Sequence, residues 1–569
     1  MRNIAWLLFV ITLPVVASTN TNTPIKHVII VVGENRTFDQ LYATWKPLTG
    51  QTVNNLLSQG IIKEDGSPGQ YFELARQHIA KLEGDYSPLP MITGNYPFLP
   101  QPFATGAFGQ EQRVPDQRFP VDLPNGPFQL SKYVSYGAHT GDPVHRFFQM
   151  WQQVNGGKND LFVWVANTVG IGSKNGPYST QPNHTNQGAV SMGFYNMATG
   201  DAPYINDLSK EFAISDNYHQ PVMGGTTVNY FFLATADVGV FNSTDGSRSP
   251  PNELIENPNI VKGTNNFYIN DGYVGGSYVN CADIDAPGVA GIKDMLKKLP
   301  YSAFKGGNCE KNRFYMVNNL DPAYKPNGTN ASDNKTSHLP LLPPQVMPHI
   351  GDLLTQYNVS WKWYSGGRND GVNVDKEYCG MCDVPTFFKS TMTGPDIKKL
   401  QDLQQFYKDV SDEKNFPAVS FIAPYDSVSG HPGYAMEPGF EELVKDVVTR
   451  VKSNEKLWDN TVIFVTTDEG GGYYDSGYIQ FIDFFGDGPR IPLIAISPYT
   501  KKGYVDHSYA DHASLLKFIE YNWSLPTLSS RSRDNLPNPV QDKTHTYMPK
   551  NRPAISDLTS LFDFEEKQH

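Results

Sequence analysis

The chain has 569 residues, 39% hydrophobic and 18% charged, which is enough apolar material for a large core carrying insertions. Its formal net charge of −12 argues against nucleic acid as a partner and against electrostatic binding to an anionic membrane. A neutral, zwitterionic lipid stays open.

Met1 to Ala17 has one positive charge, Arg2, an apolar run from Ile4 to Val16 and a small-residue cut site, so it reads as a secretory signal peptide. A secreted or periplasmic protein is expected, with one catalytic domain over residues 18–569. No later apolar run approaches the roughly 18 residues that span a bilayer, so no integral membrane segment is expected in the mature chain. The four cysteines, Cys281, Cys309, Cys379 and Cys382, suit an oxidising compartment and allow three pairings. The local choice joins Cys281 to Cys309 and Cys379 to Cys382. Cys379-Gly-Met-Cys382 also has the spacing of a redox or metal pair, but it lacks a second such motif and a βαβ context, which favours a structural disulfide.

In chain order, Val28 to Val32 is a β-branched run with no position spared for solvent, so it predicts a strand central in a sheet. Gly33-Glu34-Asn35 follows, where open α/β sheets place their sites, and Glu34 with Asn35 offers the hard oxygen ligands that a divalent cation takes. The competing reading of this stretch is a capped turn into a short helix that starts near Thr37. Thr44 to Asp142 reads as long loops. Asp142 to Val154 predicts a helix with Asp142 as cap and Pro143 at its first position, which puts His145 in the first turn.

Asp160 to Ala166 is a candidate strand, and Ala189 to Asn196 and Ala202 to Glu211 read as helices. Phe212 to Ser215 predicts a short strand leading to Gly224-Gly225-Thr226-Thr227. The apolar run Val228 to Ala236 makes that turn a helix N-terminus, whose N–H groups and dipole suit a phosphoryl oxyanion. Thr227 suits a capping role, and Asn229 lies one turn from Thr226, in reach of the same phosphoryl group. Residues 241–339, irregular and rich in Asn, Gly and Pro, read as a lid or rim insertion. Further on, a helix over Pro348 to Tyr357 feeds a strand over Ser360 to Tyr364. Ala418 to Ala423 predicts a buried strand, after which His431 sits on extended backbone ahead of Pro432. A helix over Glu441 to Lys452 leads to Val462 to Val465, a buried-type strand that runs into Asp468, Glu469 and three glycines. Ile491 to Ser497 is the last core strand. His507, Asp511 and His512 precede an amphipathic helix over Ser514 to Trp523, and Asp511 or His512 is placed to cap it.

GENRTFD, HRFFQ near residue 145, SDNYHQPVMGGTTVN, SWKWY, TTDEGGG and GDGPRIPLIAISPY with DHASLLKFIEYNW together resemble the secreted phosphoesterases that group phosphatidylcholine-type phospholipases C with respiratory-burst-inhibiting acid phosphatases. The resemblance covers nearly the whole mature chain. It implies an alkaline-phosphatase-like α/β fold, a central, mostly parallel sheet with helices on both faces. It also implies Thr226 as nucleophile, with His145 and His431 at active-site positions and His507 at a further family position. Glu34, Asn35, Asp468, Glu469 and the Thr226 hydroxyl then form an oxygen-only set around one divalent metal ion of unspecified identity, which would activate the alcohol. Thr226 attacks phosphorus to form a phosphothreonine-type ester, and His145 or His431 protonates the leaving group.

Two departures stand out. Many relatives carry histidine where this chain has Tyr230, and acid-phosphatase relatives place a histidine pair where it has Cys382 and Asp383. The GGT form of the nucleophile turn points to the phospholipase C branch, with a phospholipid or small phosphorylated substrate. A broad acid phosphatase is the alternative, and an exported, catalytically silent phosphate- or lipid-binding protein is a third reading.

Overall fold

The structure is a computed structural model that describes residues 20–81, 85–102, 114–168, 187–242, 249–258, 276–331 and 339–567. The signal-peptide reading of Met1 to Ala17 lies outside the described residues.

An eight-stranded sheet organises the chain. Its strands are β1 (His27–Gly33), β2 (Ala213–Ser215), β3 (Trp361–Ser365), β4 (Leu400–Asp402), β5 (Val419–Ala423), β6 (Thr461–Thr467), β7 (Leu493–Ile496) and β8 (Val505–Asp506). They lie in the order β4-β3-β5-β1-β6-β7-β2-β8. Only β7 runs against the others, so the sheet is mostly parallel. β1 is interior, paired with β5 through Val28 and Val419 and with β6 along its whole length. Every residue from Val28 to Gly33 and from Thr461 to Thr467 is buried, which is why both segments are unbroken β-branched or apolar runs rather than alternating ones.

Helices cover the sheet. α5 (Thr226–Thr235) packs with α7 (His512–Trp523), and α4 (Pro203–Glu211) packs with α6 (Glu437–Ser453). Earlier in the chain come α1 (Phe38–Tyr42), capped by the Thr37 side chain, and the contacting pair α2 (Phe147–Val154) and α3 (Phe162–Thr168). Both expected disulfides, Cys281–Cys309 and Cys379–Cys382, are formed.

Three local expectations are corrected. Residues 160–166 are not a strand, because α3 occupies Phe162–Thr168, with Phe162 to Ala166 buried against α2. Residues 189–196 form a 3-10 turn and a two-residue strand instead of a helix. The helix after Asp142 starts only at Phe147, so His145 sits on the approach to it.

Of the 241–339 segment, the described part from 317 to 320 is buried against the start of α5. The Asn319 side chain accepts from the Thr227 N–H at 2.9 Å, and the Thr227 hydroxyl donates to the Leu320 carbonyl at 3.1 Å. That stretch is part of the wall around Thr226.

Candidate active site

β1 and β6 are parallel neighbours, so their carboxyl ends fall side by side and bring Glu34-Asn35 next to Asp468-Glu469 across 433 residues of chain. The Asn35 N–H donates to Asp468 Oδ1 at 3.1 Å. Asn35 takes a left-handed backbone, φ 61°, which asparagine tolerates better than most side chains and which turns the chain sharply after the strand. Gly471, at φ 61°, passes so close that an added Cβ would lie 2.7 Å from Asn35 Cβ, and Gly472, at φ 73°, would meet the Val144 carbonyl at 2.8 Å. The glycines after Glu469 therefore let β1, β6 and the His145 segment converge.

Thr226 opens α5 and is 4% exposed, with its side chain facing Asp468. Gln220 ties this turn to the acidic loop, accepting from the Gly470 N–H at 2.8 Å. Asn229 is placed differently from its expected reach to a phosphoryl group. Its amide donates to the Gly224 and Gly225 carbonyls at 2.8 and 3.0 Å and accepts from the Val222 N–H, so it shapes the nucleophile turn. The Thr227 N–H is taken by Asn319, and the N-cap is Gly225.

Both histidines reach the cluster. His145 Nδ1 donates to the Pro143 carbonyl at 2.7 Å, leaving Nε2 3.2 Å from Glu469 Oε1. His431 Nδ1 donates to the Pro432 carbonyl, and its Nε2 accepts from the Asn35 amide at 2.9 Å. This hydrogen bond orients Asn35 so that Oδ1 faces away from the histidine. Sequence reading missed Tyr434, whose ring stacks on His431 at 4.1 Å and whose hydroxyl donates to Glu34 Oε2 at 3.0 Å, while the residue stays 43% exposed. It also missed that Cys382 Sγ lies 3.4 Å from Glu34 Oε1. Nothing local to either residue signals a partner about 400 or 350 positions away.

The electrostatics are those of a site short of positive charge. Burial, then mutual repulsion, pushes the carboxyls of Glu34 and Glu469 well above the usual range, and burial brings Asp468 up to about 7. Among the described residues no lysine or arginine pairs with any of the three; neighbouring Arg36 turns away to Glu437. Asn35 Oδ1 and Asp468 Oδ2 are buried without a hydrogen-bond partner. Orphaned hard oxygens beside crowded carboxylates are the donor set a divalent cation satisfies.

The remaining expected positions fall elsewhere. Tyr230 points its hydroxyl to the Val32 carbonyl at 3.0 Å, bracing β1 from below the site. His512 bridges the Tyr218 hydroxyl and the Asp468 carbonyl, and burial lowers it to about 4, so it serves as a neutral strut. Asp511 caps α7. His507 follows edge strand β8, three strands beyond β6, and binds Asp216 at 2.7 Å. Burial lowers the His507 pKa, but the Asp216 carboxylate outweighs it and the net shift is upward from 6.5. A raised histidine contributes stability that is complete below 6.5 and lost as pH rises through its folded value. Thermal melts of wild type and His507→Gln should therefore differ most in mildly acidic buffer and converge in alkaline buffer. A constant difference across pH would refute this linkage.

A model of the Phosphoesterase family matches residues 25–526. The chain belongs to that family. A non-hemolytic phospholipase C of Burkholderia pseudomallei is 27% identical over 36% of this chain and 32% of its own length. The chain thus spans about a third of that relative. Phospholipase C B of Mycobacterium tuberculosis is 24% identical over 95% of this chain and 78% of its own. A probable acid phosphatase of Kluyveromyces lactis is 25% identical over 34% of this chain and 45% of its own.

Proposed function

We propose that this phosphoesterase hydrolyses phospholipid phosphodiesters in the manner of a phospholipase C, through a covalent phosphothreonine at Thr226, and that it works outside the cytoplasm. The observation that carries the reading is the convergence of a helix-N-terminal threonine with Asp468, Glu34, Asn35 and Glu469, a buried cluster in which Asn35 Oδ1 and Asp468 Oδ2 lack a hydrogen-bond partner.

One divalent cation fits this donor set, held by Glu34, Asn35, Asp468 and Glu469 with the Thr226 hydroxyl. When bound, it would lower the pKa of the hydroxyl and neutralise charge on the phosphoryl group. Thr226 Oγ attacks phosphorus as the bond to the leaving alcohol breaks, and its proton passes into the carboxylate cluster it faces. His431 Nε2 is occupied by the Asn35 amide, which leaves His145 as the residue that delivers a proton to the departing alkoxide. Its Nε2, beside Glu469 Oε1, is the atom at which that proton is held. Water then cleaves the phosphothreonine.

The lipid reading draws on the phospholipase C relatives, and the K. lactis relative supports phosphomonoesters as the second reading. Comparing kcat/KM for p-nitrophenyl phosphorylcholine and p-nitrophenyl phosphate, each with a chelator control, separates them. The choline ester is expected to be preferred by at least about tenfold. Preference for the monoester would establish the acid phosphatase, and absence of chelator-sensitive turnover on both would favour a silent binding protein.

A further inference from the structure

The chemistry above leaves the Cys379–Cys382 bridge without a task, yet the bridge forms part of the wall of the site. Cys382 is buried with its Sγ 3.4 Å from Glu34 Oε1. A Glu34 carboxylate oxygen and both sulfurs all lie within 4.8 Å of one another. As a disulfide, the pair offers Glu34 neither a proton nor a charge. Opened to thiols, it becomes two soft ligands at the C-x-x-C spacing of zinc sites, with a carboxylate as third ligand. Two thiolates on one tetrahedral zinc sit about 3.8 Å apart, from Zn–S bonds of about 2.3 Å. The sulfurs need only part to that distance to accept the ion. Cys379 is half-buried and residues 372–376 beside it are exposed, so a small thiol can approach.

We propose that the reduced Cys379–Cys382 pair and Glu34 form a binding site for a soft divalent cation of the zinc type, and that filling it withdraws Glu34 from the hydrolytic site. Two external thiols reduce the bridge, becoming one disulfide while Cys379 and Cys382 each gain a hydrogen. Metal binding then releases two protons as both thiols ionise, and water takes the fourth position. The binding half of the inference is independent of the reaction; the withdrawal half rests on the function proposed above.

The test uses full-length protein reduced with dithiothreitol, freed of it anaerobically, and titrated with Co²⁺. Reduced wild type should show thiolate-to-cobalt charge-transfer absorption saturating at one equivalent and bleached by Zn²⁺, and oxidised protein should show none. Reduced Cys379→Ser/Cys382→Ser still holds the Cys281 and Cys309 thiols and should lack the band. Glu34→Gln should weaken cobalt binding by at least about tenfold, following the cost of losing a ligand contact. If the double variant does not fold, Cys379→Ser alone should halve the band. No band in reduced wild type, or one that survives both serine substitutions, overturns the site. In the activity arm, one equivalent of Zn²⁺ should cut turnover of the reduced enzyme at least tenfold and leave the oxidised enzyme little changed. A cobalt site without that loss would refute the withdrawal, whereas a cobalt site in a protein with no turnover at all would refute the reaction and leave the site standing.

Discussion

Thr226→Ala is expected to lower kcat/KM by about 10⁴-fold or more, the scale on which enzymes lose rate when a covalent nucleophile is removed. The fold should hardly change. Thr226 is not the cap of α5, since Gly225 is, and the hydrogen bonds that lock the turn belong to Asn229 and Thr227. What is lost is one buried hydroxyl and one methyl, a stability cost of about 1 kcal/mol. Thr226→Ser keeps the attacking oxygen and should stay within about tenfold of wild type, because only a methyl that limits rotation is removed. Purified variants, assayed on the preferred p-nitrophenyl ester with melting curves in parallel, decide the matter. An alanine variant turning over at near-wild-type rate would remove the nucleophile and the phosphothreonine together.

Much of the sheet was legible in the sequence because parallel strands buried on both faces are written as apolar runs. Val28 to Val32 and Val462 to Val465 were placed correctly, and with them the two acidic pairs at their ends. The same rule explains the failure at residues 160–166. Phe162, Val163, Trp164, Val165 and Ala166 are all buried, so neither a two-residue nor a 3.6-residue period survives, and β-branched composition pointed the wrong way. Packing against α2 decided for the helix. The site divided along similar lines. Residues that touch the cluster through strand ends could be found by motif, whereas Tyr434 and Cys382 arrive on loops from distant sequence, and their contact with Glu34 is a property of the fold alone. Asn229 shows a subtler limit: helical spacing put it one turn from Thr226, but it could not say that the nearby backbone carbonyls would claim its amide.

The second large effect is expected at Arg36, a residue of the GENRTFD motif whose backbone N–H donates to the Glu469 carbonyl at 3.0 Å but whose side chain turns away from the carboxylate cluster. Its guanidinium is buried, donates through Nε to Glu437 Oε2 at 2.8 Å, and holds the Gly430 carbonyl through Nη2 at 2.5 Å. Arg36 thus joins three segments: the turn after β1, the loop carrying His431 and the start of α6. Arg36→Met strands a buried carboxylate, and breaking such a pair costs about 3–5 kcal/mol. Glu437 is already raised by burial and is held down only by Arg36, so it would take up a proton instead of remaining charged. Arg36→Met/Glu437→Met removes both charges and should recover most of the lost stability, because a well-packed apolar pair of similar volume replaces a buried ion pair at little cost. Turnover should not recover with it. The Gly430 tether is absent from both variants, and a loose His431 loop lets Asn35 swing from its position, a misplacement of the kind that costs about 10²-fold in rate. Denaturant unfolding and kcat measured on the same two proteins separate the roles. If kcat returns with stability in the double variant, Arg36 serves only to hold the fold together; if stability returns and kcat stays low, Arg36 is a positioning residue for the Asn35–His431 edge of the site.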